Sequence, residues 1–455
     1  MDGTLKFLSD YCSSLDYRSV PAKVVHDVKR HVVDTLGCAM AGRDMGPPLI
    51  ARAQALEAVS TPGSTIIGTR HKSSPELAAF ANGVMARYLD FNDTARLGSA
   101  GHPSDNITAV LAAAEYAGAD MHATIAGIVV AYEVQNRIGA VGRSARLNGW
   151  DHAIFVVLAA AAGAGRAIGL NQAQMANALA LAAVANAAMG QTRVGQLSSW
   201  KGCTAPNAAR NGVFAALLAR RGMSGPDEAF DGPRGYKKQL GAPFELPPFG
   251  GTNVPYAIEA DKFKCYPCDY EAQCSITPAI ELHKAINGNV SDIVSVDVET
   301  YEHAIFVAAD TRDKWNPTSR ETADHSIPYV VAVALLRGTV WMDDFTDERI
   351  RDPEVLALMQ KIEVRATEEC TRAWPQAFPF RITLTTRSGR KIVKDVKYAK
   401  GHPDNPMSDA ELEAKFRRLA EPSMGQARAS NALTQLWKME DLPGPRDVLE
   451  LFVLD

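Results

Sequence analysis

Three alanine-rich segments, 107–141, 153–189 and 207–221, constrain this chain more than any other feature of its sequence. Alanine has the highest helix propensity and no bulk to hold neighbours apart, so these segments are predicted to form closely packed helices. An amphipathic helix is predicted before them. Val24, Val28, Val32 and Leu36 recur every four residues after Pro21, until Gly37 and Gly42 loosen the pattern. Gly222 follows the third segment as a left-handed C-terminal cap. At 455 residues the chain exceeds what one hydrophobic core organises, and its 46% hydrophobic share can fill two.

The pattern changes after about Lys264. The stretches DIVSVDVETYEHAIFVA, KIEVRATEE and PFRITLTTRSGRKIVKDVKY are β-branched and partly alternating, and Ser388-Gly389 sits between two alternating arms as a hairpin turn. They read as antiparallel strands, with helices predicted at CSITPAIELHKAI and SIPYVVAVALLRG. No GxGxxG or P-loop stands in a strand-to-helix setting. From Ser408 a serine followed by Glu411 forms a capping box that restarts helix. The expected fold is therefore mainly α with a second α+β domain. The helical domain spans 1–263 and 403–455, and the α+β domain 264–402.

A formal net charge of −4 gives no basic footprint for nucleic acid. The N-terminal stretch has early acids, and later apolar runs are broken before they could span a bilayer, so a cytoplasmic location and no membrane partner are expected. The seven cysteines, scattered and odd in number, read as reduced thiols. Cys265 and Cys268 have CxxC spacing. No second pair completes a tetrahedral zinc site, and only Cys274 is near enough to add a thiolate for an iron–sulfur cluster. No metal and no cofactor is expected.

Four stretches combine ionisable groups with loop-like surroundings. In YLDFNDTARLGSAGHPSDN, Asp90 and Asp105 read as helix caps, in a loop loosened by Gly98, Gly101 and Pro103. Asp93 with His102 reads as functional, because a carboxylate beside an imidazole orients it for proton transfer. In NGWDHAIF, Asp151 is a cap and His152 falls in the first helical turn, as a catalytic or a buried structural histidine. In WKGCTAPNAARNG, Lys201 stands near a helix start, where its charge works against the macrodipole unless an anion compensates it. A ligand is one such anion. Lys264, in DKFKCYPCDYEAQCS, completes a pair of ammoniums able to grip two carboxylates.

These stretches occur together and in order. With VDTLGCAMAG, KCYP and DKWNPTSRETADHSIPYVVAVALLRG they resemble the MmgE/PrpD family over most of the chain. That family includes 2-methylcitrate dehydratases, cis-aconitate decarboxylases and iminodisuccinate epimerases. The resemblance implies a large helical domain built from both chain ends, a smaller α+β lid, a homodimer, and a pocket between the domains lined by Asp93, His102, His152, Lys201 and Lys264. It gives His325, Asn207 and Arg210 structural roles. Many relatives carry a histidine or other polar pattern in the turn after the Lys264 position, where this chain reads CDYEAQCS.

The shared chemistry makes or breaks a bond at carbon next to a carboxylate, and fixed cations aimed at the developing enolate stabilise it. The leading expectation is a cofactor-independent hydro-lyase acting on a di- or tricarboxylate such as 2-methylcitrate or citrate. In it Lys201 and Lys264 clamp carboxylates, while His102 and His152 divide the proton transfers. Decarboxylation of cis-aconitate, epimerisation of an iminodisuccinate-type substrate, and a non-catalytic tricarboxylate binder are the alternatives. Lys201→Ala and His102→Ala are expected to abolish activity with the melting temperature nearly unchanged.

Overall fold

Val24, Val28, Val32 and Leu36 all point inward from the helix Ala22–Gly42, each essentially without solvent contact. The computed structural model describes residues 1–95, 101–241 and 244–454; Gly98 lies outside them. The alanine-rich segments are helical but interrupted. The first divides into Ile107–Ala117 and Met121–Val141, with Gly118 left-handed between them and Asp120 accepting from the Ala123 N–H. The second divides into Ala153–Ala167 and Gln172–Val184, the latter started by an Asn171–Gln174 capping box. The third is Thr204–Arg220. This last helix lies so close to Ala153–Ala167 that a Cβ on Gly212 would stand 2.6 Å from the Val157 carbonyl oxygen. Small residues thus bring two helices together whose N-terminal ends carry Lys201 and His152.

One apolar core runs from Leu5 to Phe263 and resumes from Met407 to Phe452. A second, separate core runs from Cys268 to Ala399. The capping box at Ser408 starts the helix Asp409–Met424, which returns the chain to the first core by packing on Ala22–Gly42. The larger part is not wholly helical. Val59–Thr65 pairs with Lys72–Ser73, docked on Ile107–Ala117 through a bond from the Thr65 N–H to Glu115.

The second core holds a four-stranded sheet in the order Ile362–Ala366, Ile293–Thr300, Phe380–Thr386, Lys391–Val396. The last two form the hairpin whose turn holds Gly389 at φ +79. The sheet is mixed rather than wholly antiparallel, because Ile293–Thr300 and Ile362–Ala366 run parallel. The chain between them is a helical crossover through Glu302–Ala308, Ile327–Arg337 and Pro353–Met359, which is what a parallel pair requires. The expected strand also stops early, since EHAIFVA is the first of those helices. Val296 and Val298, Ile382 and Leu384 are buried from the sheet, which packs against Tyr270–Ala285.

Candidate active site

Asp90 is the centre of a buried charge cluster. It follows the helix Pro75–Arg87 with φ +50, a conformation that aspartate tolerates better than most residues. Lys264 Nζ donates to its Oδ1 at 2.6 Å and to its carbonyl at 2.9 Å, Arg87 donates to Oδ1 at 2.9 Å, and Lys201 Nζ lies 2.9 Å from Oδ2. Asp90 is therefore not a helix cap, as its position in sequence suggested. Burial pushes its carboxyl pKa up, but Arg87, Lys201 and Lys264 outweigh burial and hold it well below the ordinary carboxylate range.

Lys201, in the short turn Ser199–Gly202, also donates to Asp324 at 2.9 Å and lies 3.1 Å from His325 Nδ1. The anion that compensates it is thus a pair of aspartates, one from each apolar core's share of the chain. His325 Nδ1 is 2.6 Å from Asp324, and its Nε2 faces Asp90 at 3.6 Å and Asp269 at 3.5 Å. Burial and then Lys201 lower the His325 pKa, so this ring is neutral at neutral pH. Asp90, Asp324 and His325 bring three ligand atoms within 4.8 Å of one another, a spacing that suits a cation. The Lys201 ammonium already stands in contact with all three residues.

Arg87, Lys201 and Lys264 thus face two ionised carboxylates, Asp90 and Asp324. Burial pushes the pKa of the nearby Asp105 up to about 7, and Asp269 faces the same cluster across His325. Asp105 Oδ1 accepts from Asn92 and lies 3.8 Å from Arg87, so Asp105 is not the helix cap expected either; it lies inside the turn Pro103–Asn106, and Asn106 holds the cap position.

His102 and His152 stand ring edge to ring face, with centroids 5.5 Å apart. Asp93 does not orient His102 through its carboxylate. Its backbone carbonyl accepts from His102 Nδ1 at 2.6 Å, while its carboxylate accepts from Ser104, from the Tyr132 hydroxyl at 2.7 Å, and faces His31 Nδ1 at 2.9 Å. Burial raises the Asp93 carboxyl, and the bonds from His31, Ser104 and Tyr132 more than reverse it. The carbonyl can only accept, so His102 Nδ1 carries the hydrogen and Nε2 the lone pair. Burial first, then Arg87 and Lys264, hold the His102 pKa well below its ordinary value. Asp151 caps the next helix as expected, accepting from the Ala153 N–H, and its Oδ1 lies 3.4 Å from His152 Nδ1.

Two further contacts fix the geometry. Thr94 and Lys262 exchange backbone hydrogen bonds at 2.8 Å, joining the loop after Asp93 to the strand-like segment before Lys264. Lys415, from the returning helix Asp409–Met424, donates to the carbonyls of Phe91 and Lys264 and pairs with Asp34 at 2.6 Å. Gly101, at φ +75, lies against His152, where a Cβ would meet the ring at 2.2 Å. Gly101→Ala is expected to displace His152 and lower kcat at least about tenfold, a loss typical of misplaced catalytic groups, in a steady-state assay.

All five residues singled out from the sequence are buried. Lys201 and Lys264 meet on Asp90, His102 pairs with His152, and Asp93 supports His102. Sequence reasoning missed Arg87, Asp105, Asp324, His31 and the full part played by Asp90. The ADHS run offered a signal for Asp324, because the apolar run IPYVVAVALL follows at once and draws the Asp-His pair toward a core, where such groups are kept only when paired. A surface hollow bounded by Ser60, Pro62, Lys72, Glu115 and Arg446 shares no lining residue with this site.

Fold and site define a class: a mainly helical protein, closed by its own C-terminal end and joined to a small α+β unit, with cations and imidazoles gathered in its interior. The chain belongs to the MmgE/PrpD family, whose N-terminal domain matches residues 6–248 and whose C-terminal domain matches 266–439. It is 28% identical to the 2-methylcitrate dehydratase of Cupriavidus necator, covering 97% of this chain and 95% of that one. It is 28% identical to the 2-methylcitrate dehydratase of Escherichia coli strain K12, covering 96% and 94%. Its identity to the alkylcitrate dehydratase phiI of a fungal species is also 28%, covering 85% and 82%.

Proposed function

We propose that this protein is a hydro-lyase that dehydrates 2-methylcitrate or a close citrate analogue. The observation that carries the reading is the His102–His152 pair set beside a buried cluster in which Arg87, Lys201 and Lys264 all close on Asp90. Lys201 and Lys264 hold substrate carboxylates. His102, neutral and with its lone pair on Nε2, takes the proton from the carbon next to a carboxylate. The electrons of that C–H bond form the double bond as the C–O bond on the neighbouring carbon breaks, and His152 protonates the departing hydroxyl to release water. With His102 as the base, His152 is the other imidazole of the pair and takes the acid role. The enolate-like charge that develops on the carboxylate falls to the ammoniums.

The domain division, 1–263 with 403–455 against 264–402, belongs to the same reading and is supported by the two separate apolar cores. Among the described residues no helix is long and apolar enough to cross a membrane, and we take the protein as cytoplasmic. We also take it as a homodimer. Val184, Met189, Val194, Trp200 and Phe214, large apolar side chains exposed along one stretch of chain, support a covered face there.

Proton NMR on purified protein incubated with 2-methylcitrate, citrate and cis-aconitate tests the reaction. The expected result is a new vinylic or methyl signal from the dehydrated product of 2-methylcitrate. Itaconate from cis-aconitate with no dehydration, or no product from any of the three, would overturn it.

A further inference from the structure

Lys314 belongs to none of the groups described above. It lies in the short helix Arg312–Trp315, inside the DKWNPTS run, and only 6% of it is exposed. Its backbone is tied to the cluster, since the Ser326 hydroxyl donates to the Lys314 carbonyl and Ser326 directly follows Asp324 and His325. Its ammonium is near enough to Lys201, Asp269, Asp310 and Asp324 to feel each of them. Yet among the described residues no hydrogen bond or ion pair reaches Lys314 Nζ, whereas Lys201, Lys264 and Lys415 each contact a carboxylate within 3 Å. The stem of the side chain is nearly buried, but Nζ is not among the buried polar atoms that lack a partner, so the ammonium meets solvent rather than a carboxylate. Burial lowers its pKa, with Lys201 adding to the effect. A cation on a buried stem, close enough to Lys201 for the two charges to repel and without a carboxylate of its own, suits an anion absent from the free protein.

We propose that Lys314 is a third carboxylate-binding cation, supplied from the 264–402 part of the chain, that takes a substrate carboxylate not held by Lys201 and Lys264. The inference rests on the reading of this site as one for a tricarboxylate. It makes Lys314 a determinant of specificity, since a dicarboxylate would leave it unpartnered.

The test compares wild type, Lys314→Met and Lys314→Arg in steady-state turnover of 2-methylcitrate, calorimetric titration with citrate, and melting without ligand. Lys314→Met is expected to raise KM and weaken citrate binding by about tenfold or more, the size of a lost charge-assisted contact, with a smaller change in kcat. Its ligand-free melting temperature is expected to stay level, because no hydrogen bond or ion pair of Nζ is lost. Lys314→Arg, which keeps the charge, is expected to restore most of the affinity. Unchanged KM and citrate affinity in Lys314→Met, or a lowered ligand-free melting temperature with affinity intact, would overturn the inference alone. Wild-type protein that neither binds citrate nor turns over 2-methylcitrate would instead overturn the reading on which it rests.

Discussion

Lys201→Ala is expected to lower kcat/KM for 2-methylcitrate by about 10²–10³-fold, the range for losing one preorganised charge-stabilising group. It is also expected to lower the unfolding free energy by about 3–5 kcal/mol, as breaking a buried ion pair from one side does. The second effect departs from the sequence-based expectation of an unchanged melting temperature. Asp90 would keep Arg87 and Lys264, but Asp324 would lose its ammonium partner and keep a direct contact with His325. Adding Asp324→Asn to Lys201→Ala removes the stranded charge. The double variant is expected to regain most of the stability in urea denaturation while turnover stays lost. Recovery of turnover along with stability would mean that Lys201 acts only as a structural counter-ion.

His102→Gln is expected to lower kcat by about 10²–10⁴-fold, the usual contribution of a general base. Its pH dependence carries a sign. With the folded-state pKa held well below the ordinary value, His102 is neutral above about pH 6.5 and the acid limb of wild-type kcat/KM falls below that pH. Between the two pKa values the unfolded chain binds the extra proton, so His102 makes the fold less stable as pH falls below about 6.5. Comparing the denaturation midpoints of wild type and His102→Gln from pH 7.5 to 5 checks this: the wild type is expected to lose more stability on acidification than the variant. A parallel decline would place the titration elsewhere.

The parts of the molecule legible in the sequence are those set by neighbours along the chain. The Ser408 capping box, the Ser388-Gly389 turn and the cap at Asp151 depend on residues within a few positions and took the form expected, and the alanine-rich stretches formed helices, though interrupted ones. The parallel pairing of Ile362–Ala366 depends on a crossover that alternation alone does not reveal. The strand Val59–Thr65 contains Pro62 and Gly63, which ordinarily mark a turn. Asp90 was misread for the same reason. Its position suits a cap, and nothing local shows that Lys201, Lys264 and Arg87 all close on it. Asp93 and His102 are near in sequence and do meet, but through a carbonyl, which every residue possesses and no side-chain pattern reports.

A crystal structure of the protein with bound citrate tests the central claim most directly. The account predicts citrate carboxylate oxygens within hydrogen-bonding distance of both Lys201 Nζ and Lys264 Nζ, with a carbon next to a carboxylate facing His102 Nε2. Citrate bound outside this interior, or bound within it with His102 and His152 both turned from the reacting carbons, would contradict it.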